Sequence, residues 1–147
     1  MTYNQSEFLI ETSVPKGAEI ISRTNLDGII TYANDVFCDI SGYAQEELIG
    51  KAHNIVRHPD MPKSVFDELW QNLKANKKWE GIVKNLRKDG GFYWVHAIIS
   101  GIYKDGVLYE YKSLRTPISY EEKLNHQKLY DEIRAKNGEK IRKVIYE

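Results

Sequence analysis

The chain has 147 residues, of which 41% are hydrophobic and 12% aromatic, and this predicts one folded domain rather than a disordered chain. Its 21 basic residues balance 21 acidic ones, so no net charge attracts it to nucleic acid or to an anionic membrane. A single cysteine, Cys38, excludes an internal disulfide and favours a cytoplasmic protein. No apolar run approaches the length of a membrane span, so any membrane association is expected to come through a partner.

The first third of the chain predicts a cap, a hairpin and two short helices. Residues 1–17 are expected to form a short N-terminal cap of one or two helical turns. Strands at 20–24 and 29–32 follow, joined by an Asp-Gly turn of the kind that favours a β-hairpin. Asn34 is a natural cap for a short helix, and a second short helix is predicted over 45–49.

Residues 53–63 carry an unusual concentration of polar side chains in a segment that is broken by two prolines. Because proline fixes φ and lacks an amide hydrogen, Arg57, His58 and Asp60 are predicted to lie on a rigid, irregular connector. An arginine beside a histidine can hold an anion such as phosphate. The alternative is structural: Asp60 caps the next helix, Arg57 pairs with a surface acid, and the histidines are solvated.

A longer helix is predicted from about residue 63 to 75. Its apolar residues form one stripe at helical spacing. The stripe consists of Val65, Phe66, Leu69, Trp70 and Leu73. By pattern alone, the aromatic members of this stripe are expected to pack in the core.

Three strand-like runs follow, at 79–87, 92–103 and 107–118, separated by glycine turns. Together with the first two strands they predict an α+β domain with a five-stranded antiparallel sheet over residues 18–119. The tail at 120–147 is charged and helical in pattern. It is interpreted as a helix for a partner or a dimer, or else as a solvated extension.

Strand alternation singles out Asn85 as an inward-facing polar residue. In the run from residue 79, Trp79, Gly81, Val83 and Asn85 share one face, opposite Glu80 and Lys84. A buried carboxamide needs partners for its oxygen and its NH₂, which a heteroaromatic ring edge or neighbouring backbone can supply. Gly81 would leave room on this face for something flat.

Motifs of enzymes are missing from the sequence. It contains no glycine-rich dinucleotide loop, no phosphate-binding P-loop, no nucleophile elbow and no zinc-protease motif. His53 and His58 lack a third metal ligand at suitable spacing. We therefore expect neither an enzyme nor a metal site.

Four stretches together resemble a known family across roughly residues 18–119. Asn-Asp-Val-Phe-Cys-Asp-Ile-Ser-Gly-Tyr at 34–43 and Glu-Leu-Ile-Gly at 47–50 match the general PAS signature. His-Asn-Ile-Val-Arg-His-Pro-Asp-Met-Pro at 53–62 and Trp-Glu-Gly-Ile-Val-Lys-Asn-Leu-Arg-Lys at 79–88 are more specific. In combination the chain resembles the FAD-binding PAS domain of bacterial aerotaxis receptors.

The resemblance implies a PAS fold in which short helices and one long helix cover a ligand pocket that holds a non-covalent FAD. By the family pattern, FAD binding requires the connector residues Arg57, His58 and Asp60. Further pocket positions are implied at Asn34, Phe66, Trp70, Trp79 and Asn85, with His53 as an additional neighbour. From the residues alone, the Arg57–His58 pair would suit the phosphate of either FAD or FMN.

The implied function is a redox or oxygen sensor for aerotaxis. It would pass the state of its flavin to a chemotaxis signal-transducing protein or its linker domain, with a homodimer as a further possibility. The chain is expected to be an excised domain or a stand-alone PAS protein. His53 holds the position of the reactive cysteine in light-sensing PAS domains, so no thiol adduct is expected. The alternatives are a cofactor-free interaction module and a haem-binding PAS sensor with a histidine ligand.

Overall fold

The computed structural model describes residues 10–139, which form a five-stranded antiparallel sheet with helices on both faces. The strand order across the sheet is β2-β1-β5-β4-β3. The strands are β1 (Ile20–Thr24), β2 (Ile30–Ala33), β3 (Trp79–Leu86), β4 (Phe92–Lys104) and β5 (Val107–Thr116). The predicted α+β class and all five strands are confirmed, with bounds that differ by at most two residues.

The helices lie mainly between β2 and β3. They are α1 (Asp35–Ser41), α2 (Gln45–Leu48), a 3-10 helix (His53–Val56) and α3 (Lys63–Lys74), and α4 (Tyr120–Lys136) follows β5. The predicted cap at Asn34 is confirmed, because its side chain accepts a hydrogen bond from the amide of Phe37. Among the residues described, no helix is both long and apolar enough to span a membrane.

The core lies between the inner face of the sheet and the segment that joins β2 to β3. Phe37 and Leu48, from the two short helices, are fully buried and belong to the same core cluster as Ile20 and Val95 of the sheet. Leu69 and Leu73 of the α3 stripe are also buried, as the helical spacing predicts. This arrangement places α3 and the 3-10 helix opposite the centre of the sheet.

Helix α4 packs on the outer face of the sheet, so residues 120–136 are not a solvated extension, while the expectation that this helix serves a partner or a dimer stays a prediction. Tyr130 is 6% exposed. Its ring stacks on Trp94 with centroids 6.4 Å apart, and its hydroxyl donates to the carbonyl of Ile82. The sequence pattern did not predict this contact, because it considered the aliphatic residues of the tail. The residues that α4 buries are instead Tyr130 and Arg134.

The N-terminal segment also differs from its prediction. Residues 10–17 contain no helix, and Glu11 instead pairs in parallel with Phe92 at the start of β4. The amide of Thr12 donates to the carbonyl of Phe92 over 2.8 Å, and Lys123 of α4 forms an ion pair with Glu11 at 2.6 Å. The predicted helical turns are wrong for this part, and residues 1–9 lie outside the described chain.

Candidate functional site

A cavity of about 270 Å³ lies between the inner face of the sheet, α3 and the 3-10 helix. Its apolar lining consists of Val56, Phe66, Leu69, Trp70, Leu73, Val83, Ile99 and Tyr111. The other lining residues are Ser22, Thr24, Asp27, Gly28, Ala52, His53, Asn54, Arg57, Asn85, Lys112 and Ser113. Apolar walls with a few polar groups are typical of sites for small organic molecules.

Helix α3 contributes one aromatic wall of the cavity. The guanidinium carbon of Arg57 lies 3.8 Å from the centroid of the Phe66 ring. Trp70 meets Tyr111 of β5 edge-on, with centroids 5.8 Å apart. A β-carbon built on Gly28, in the turn between β1 and β2, would lie 3.7 Å from the Trp70 ring. Phe66 and Trp70 therefore line the cavity, although their spacing alone suggested ordinary core packing.

Asn85 lies inward on β3 and lines the cavity, as strand alternation predicts. It is 5% exposed and stands opposite Tyr93 of β4. An isolated bridge joins Asn85 to Arg57, so the connector is paired with the edge of the sheet at this point. Burial raises the pKa of Tyr93 to about 12, against the opposing effects of Arg115 and the Asn85 amide, so its hydroxyl stays protonated.

Trp79 is buried but lies outside the lining of the cavity. A β-carbon at Gly81 would lie 2.6 Å from the Trp79 ring. The indole of Trp79 therefore fills the space above Gly81, and the expectation that a flat ligand could use this space is wrong. Trp79 supports the inner face of β3 beside the cavity.

His53 belongs to a polar cluster at one end of the cavity. Its Nε2 lies 3.0 Å from the Ser22 hydroxyl and 3.5 Å from Nη1 of Arg115. Nη2 of Arg115 donates to Ser22 Oγ over 2.7 Å. Because Nη1 of Arg115 can only donate, Nε2 of His53 is an acceptor, so the ring proton lies on Nδ1 and the Ser22 hydroxyl also donates to Nε2. Burial, and next the charge of Arg115, lower the pKa of His53 to about 3, so its ring is neutral at pH 7.

His58 and Asp60 are buried but do not line the cavity. The Asp60 carboxylate lies 3.1 Å from Nζ of Lys84 and 3.4 Å from Nη1 of Arg134. Nδ1 of His58 accepts a hydrogen bond from the Asp60 amide. The connector therefore turns Arg57 towards the cavity and Asp60 towards helix α4. Asp60 does not cap α3, because the residue at that position is Pro62.

Asn34 is also separate from the cavity lining. Its Oδ1 accepts hydrogen bonds from the amides of Phe37 and Ile21, and its Nδ2 donates to the carbonyl of Glu19. These contacts join the start of α1 to the strand β1. The structure thus brings five of the nine predicted site residues together around the cavity, and these are His53, Arg57, Phe66, Trp70 and Asn85.

The sequence interpretation missed the polar residues that β1 and β5 direct into this region. Ser22 and Thr24 share the inner face with Ile20, so the alternation of β1 could have revealed them. Ser113 and Arg115 follow Tyr111 in the same way on β5. Within residues 10–139, no group of three or more histidine, cysteine or acidic residues is placed to hold a metal ion.

Comparisons with known proteins show which family the chain belongs to. The family model described as the PAS fold matches residues 30–115. The chain is 43% identical over 124 residues to the aerotaxis receptor of Escherichia coli strain K12, a match that covers 84% of this chain and 24% of that receptor. It is 31% identical over 112 residues to a nitrogen fixation regulatory protein of Klebsiella pneumoniae, which covers 76% of this chain and 23% of that protein.

A solved structure agrees at the level of the fold. A light-oxygen-voltage domain studied with a flavin analogue superposes with a TM-score of 0.68 at 19% identity, covering 78% of this chain and 87% of that one. The chain spans about a quarter of the length of the two curated relatives named above. Because the PAS family model matches residues 30–115, more than half of the chain, the chain belongs to the PAS family.

Proposed function

We propose that this PAS domain is a redox sensor that binds FAD without a covalent bond and holds the flavin ring in the cavity. It passes the redox state of the flavin to a chemotaxis signal-transducing protein. The observation that carries this proposal is the cavity itself, which combines apolar walls with the Asn85 amide on β3 and a cation, Arg57, on the connector. The similarity to an aerotaxis receptor supports the choice of signal.

The size and chemistry of the cavity fit a ring system. Its volume of about 270 Å³ is close to the lower end of the range for small-molecule sites, about 300–1,000 Å³. A planar heterocycle suits this space better than a whole dinucleotide, so the phosphates would lie outside the apolar part. Asn85 offers both a donor and an acceptor, which are what the polar edge of such a ring requires.

Side chains of the 3-10 helix and of α3 would also orient the ring. His53 is neutral and carries its proton on Nδ1, so it can act as a donor towards an occupant. Phe66 and Trp70 present aromatic rings from α3, and the partly exposed Arg57, stacked on Phe66, is the cation we assign to a phosphate group. Asn34, Trp79, His58 and Asp60 would contribute indirectly, by holding α1, β3 and the connector in place.

When bound, the flavin supplies the ability to accept and return electrons, and its charge and hydrogen-bonding needs change with its redox state. Asn85 lies on a strand whose neighbouring strand β4 contacts α4 through Trp94 and Tyr130. A changed hydrogen bond at Asn85 would therefore alter the packing of α4 on the outer face of the sheet. A transducer or a second copy of the chain can dock on this face. The size of the response depends on how differently the partner binds the two states.

The first test is an absorption spectrum of the purified protein before and after dithionite, with the released chromophore identified by chromatography. A two-band flavin spectrum that bleaches on reduction, with release of FAD, supports the proposal. A protein that stays colourless and takes up no added FAD refutes it and favours the cofactor-free interaction module. A sharp haem band that is lost on replacement of one histidine favours the haem sensor.

The role of Arg57 can be separated from a general effect of losing an arginine. A charged hydrogen bond to phosphate contributes about 1.5–3 kcal/mol, so Arg57→Met should weaken FAD binding by about tenfold or more. Arg23 is the matched control, because it also stacks on an aromatic ring, Tyr32, but on the outer face of the sheet. Arg23→Met should leave the affinity unchanged. Equal affinities in the two variants would remove Arg57 from the site.

A further inference from the structure

Arg115 of β5 is a buried cation immediately behind one end of the cavity. Its side chain is 2% exposed, and its guanidinium carbon lies 4.3 Å from the centroid of the Phe37 ring. Its two terminal nitrogens contact Ser22 and His53, which both line the cavity. Ser113, two residues earlier on the same face of β5, lines the cavity as well. A single layer of side chains, which includes Ser22 and His53, therefore separates the charge of Arg115 from the cavity.

No carboxylate within residues 10–139 forms an ion pair with this guanidinium, and its Nε has no hydrogen-bond partner there. The other fully buried arginine differs, because Arg134 pairs with both Asp60 and Asp131. Burying a charge without a counter-ion is costly, so natural proteins seldom do it without a functional reason. Burial lowers the pKa of Arg115 to about 10, which leaves the group charged at pH 7.

The groups around Arg115 do not neutralise it. Ser22 is uncharged and His53 is neutral, and the pKa of Tyr93, raised to about 12, keeps that hydroxyl protonated. The acid among the lining residues, Asp27, lies in the exposed turn between β1 and β2, and Arg57 and Lys112 add positive charge to the lining. The end of the cavity bounded by Ser22 and His53 therefore carries an uncompensated positive potential in a region of low dielectric constant.

We propose that Arg115 makes the cavity selective for an occupant that carries negative charge at the end facing Ser22 and His53. Such an occupant would supply the counter-ion that residues 10–139 do not offer to this cation. This inference rests on the proposed function in one respect, namely that the occupant is a flavin ring. Arg115 is a positioning residue, since Ser22 and His53 stand between it and the cavity.

The direct test uses 8-hydroxyriboflavin, a flavin analogue whose ring ionises with a change in colour. Absorbance titration of the analogue bound to the wild-type protein should give a pKa at least one unit below its value in water, a tenfold preference for the anion. Arg115→Gln removes the charge but keeps a neutral donor for Ser22, and it should abolish most of this shift. Arg115→Lys keeps the charge and should retain most of it.

An unshifted pKa in the wild-type protein would overturn the proposal, and so would equal shifts in the wild-type and Arg115→Gln proteins. If Arg115→Gln does not fold, Arg115→Met, which keeps the length and the apolar stem of the side chain, replaces it in the same titration. A purely structural role for Arg115 would change the affinity for the analogue without changing its pKa.

A second readout needs no flavin. If the cation is uncompensated, Arg115→Gln should raise the urea midpoint of the empty protein, because the cost of burying the charge disappears. A lower midpoint in this variant would overturn the claim that the charge lacks a counter-ion. Failure of the wild-type protein to bind any flavin would refute the proposed function, and the stability comparison would still decide this point about Arg115.

Discussion

Asp60 is the acid between two buried cations, and its removal should destabilise the fold strongly. Its side chain is 10% exposed, that of Lys84 is 8% exposed, and that of Arg134 is 3% exposed. Asp60→Asn keeps the volume of the side chain and removes only the charge. Breaking a buried ion pair from one side costs about 3–5 kcal/mol, because it leaves an uncompensated charge in the interior.

The remaining contacts of the two cations place the expected loss towards the lower end of that range. Arg134 keeps its ion pair with Asp131. Lys84 keeps a hydrogen bond of 2.9 Å to Gln127, and its ammonium lies 4.5 Å from the centroid of the Phe92 ring. We therefore expect Asp60→Asn to lower the free energy of unfolding by about 3 kcal/mol. The effect should be largest where α4 meets β3.

The assay is urea unfolding followed by circular dichroism, with linear extrapolation to water. The matched control is Asp39→Asn on α1, since Asp39 is exposed and forms no hydrogen bond or ion pair through its side chain within residues 10–139. The control should stay within about 0.5 kcal/mol of the wild-type protein. If Asp60→Asn also stays within that margin, the ion pairs of Asp60 with Lys84 and Arg134 do not stabilise the packing of α4. The double variant with Lys84→Met should lose less than the sum of the two single changes, because neither charge is then left without the other.

Two further predictions concern stability. Asn34→Ala removes the hydrogen bonds to Ile21, Phe37 and Glu19 and should lower the free energy of unfolding in urea by about 1–3 kcal/mol. Asn34→Asp keeps the acceptor and should lower it less. Equal losses in the two variants would exclude the capping role. The pKa of His53 is lowered from 6.5 to about 3, so between these values the unfolded chain binds a proton that the folded protein does not. The stability of the empty protein should therefore fall by up to about 1.4 kcal/mol for each pH unit below 6.5. His53→Gln should flatten this dependence in urea midpoints measured against pH, and a parallel profile would contradict it.

The regular elements could be predicted because their signals are local. Asp-Gly and Gly-Gly turns mark the ends of strands, and the apolar stripe of α3 buries Leu69 and Leu73 as its spacing requires. The direction of Asn85 also follows from a local rule, since successive side chains on a strand alternate between its faces. Each of these features depends on residues that are neighbours in the sequence.

The features that could not be predicted depend on residues far apart in the chain. Strand alternation predicts that Lys84 points outward into solvent. It is only 6% exposed, because α4 covers that face of the sheet. The burial of Arg115 depends on β1, because its partner Ser22 is 93 residues away. Nothing in the tail shows that Tyr130 will stack on Trp94, since that contact exists only once the sheet has formed. A polar residue at an inward position of a strand is the one signal that could have pointed to Arg115.

The connector from Arg57 to Asp60 joins these two sides of the molecule. Arg57 lines the cavity and pairs with Asn85, while Asp60, three residues later, contacts Lys84 and Arg134 on the side of α4. Lys84 and Asn85 are consecutive on β3, so the strand presents one neighbour to each side. A change in the position of Arg57 that accompanies binding must therefore alter the contacts of α4 unless the connector itself deforms. If binding in the cavity strengthens the packing of α4, thermodynamic reciprocity requires that loosening α4 weaken binding in the cavity by the same free energy. The predicted requirement for Asp60 in binding the proposed flavin therefore needs no contact between Asp60 and the flavin.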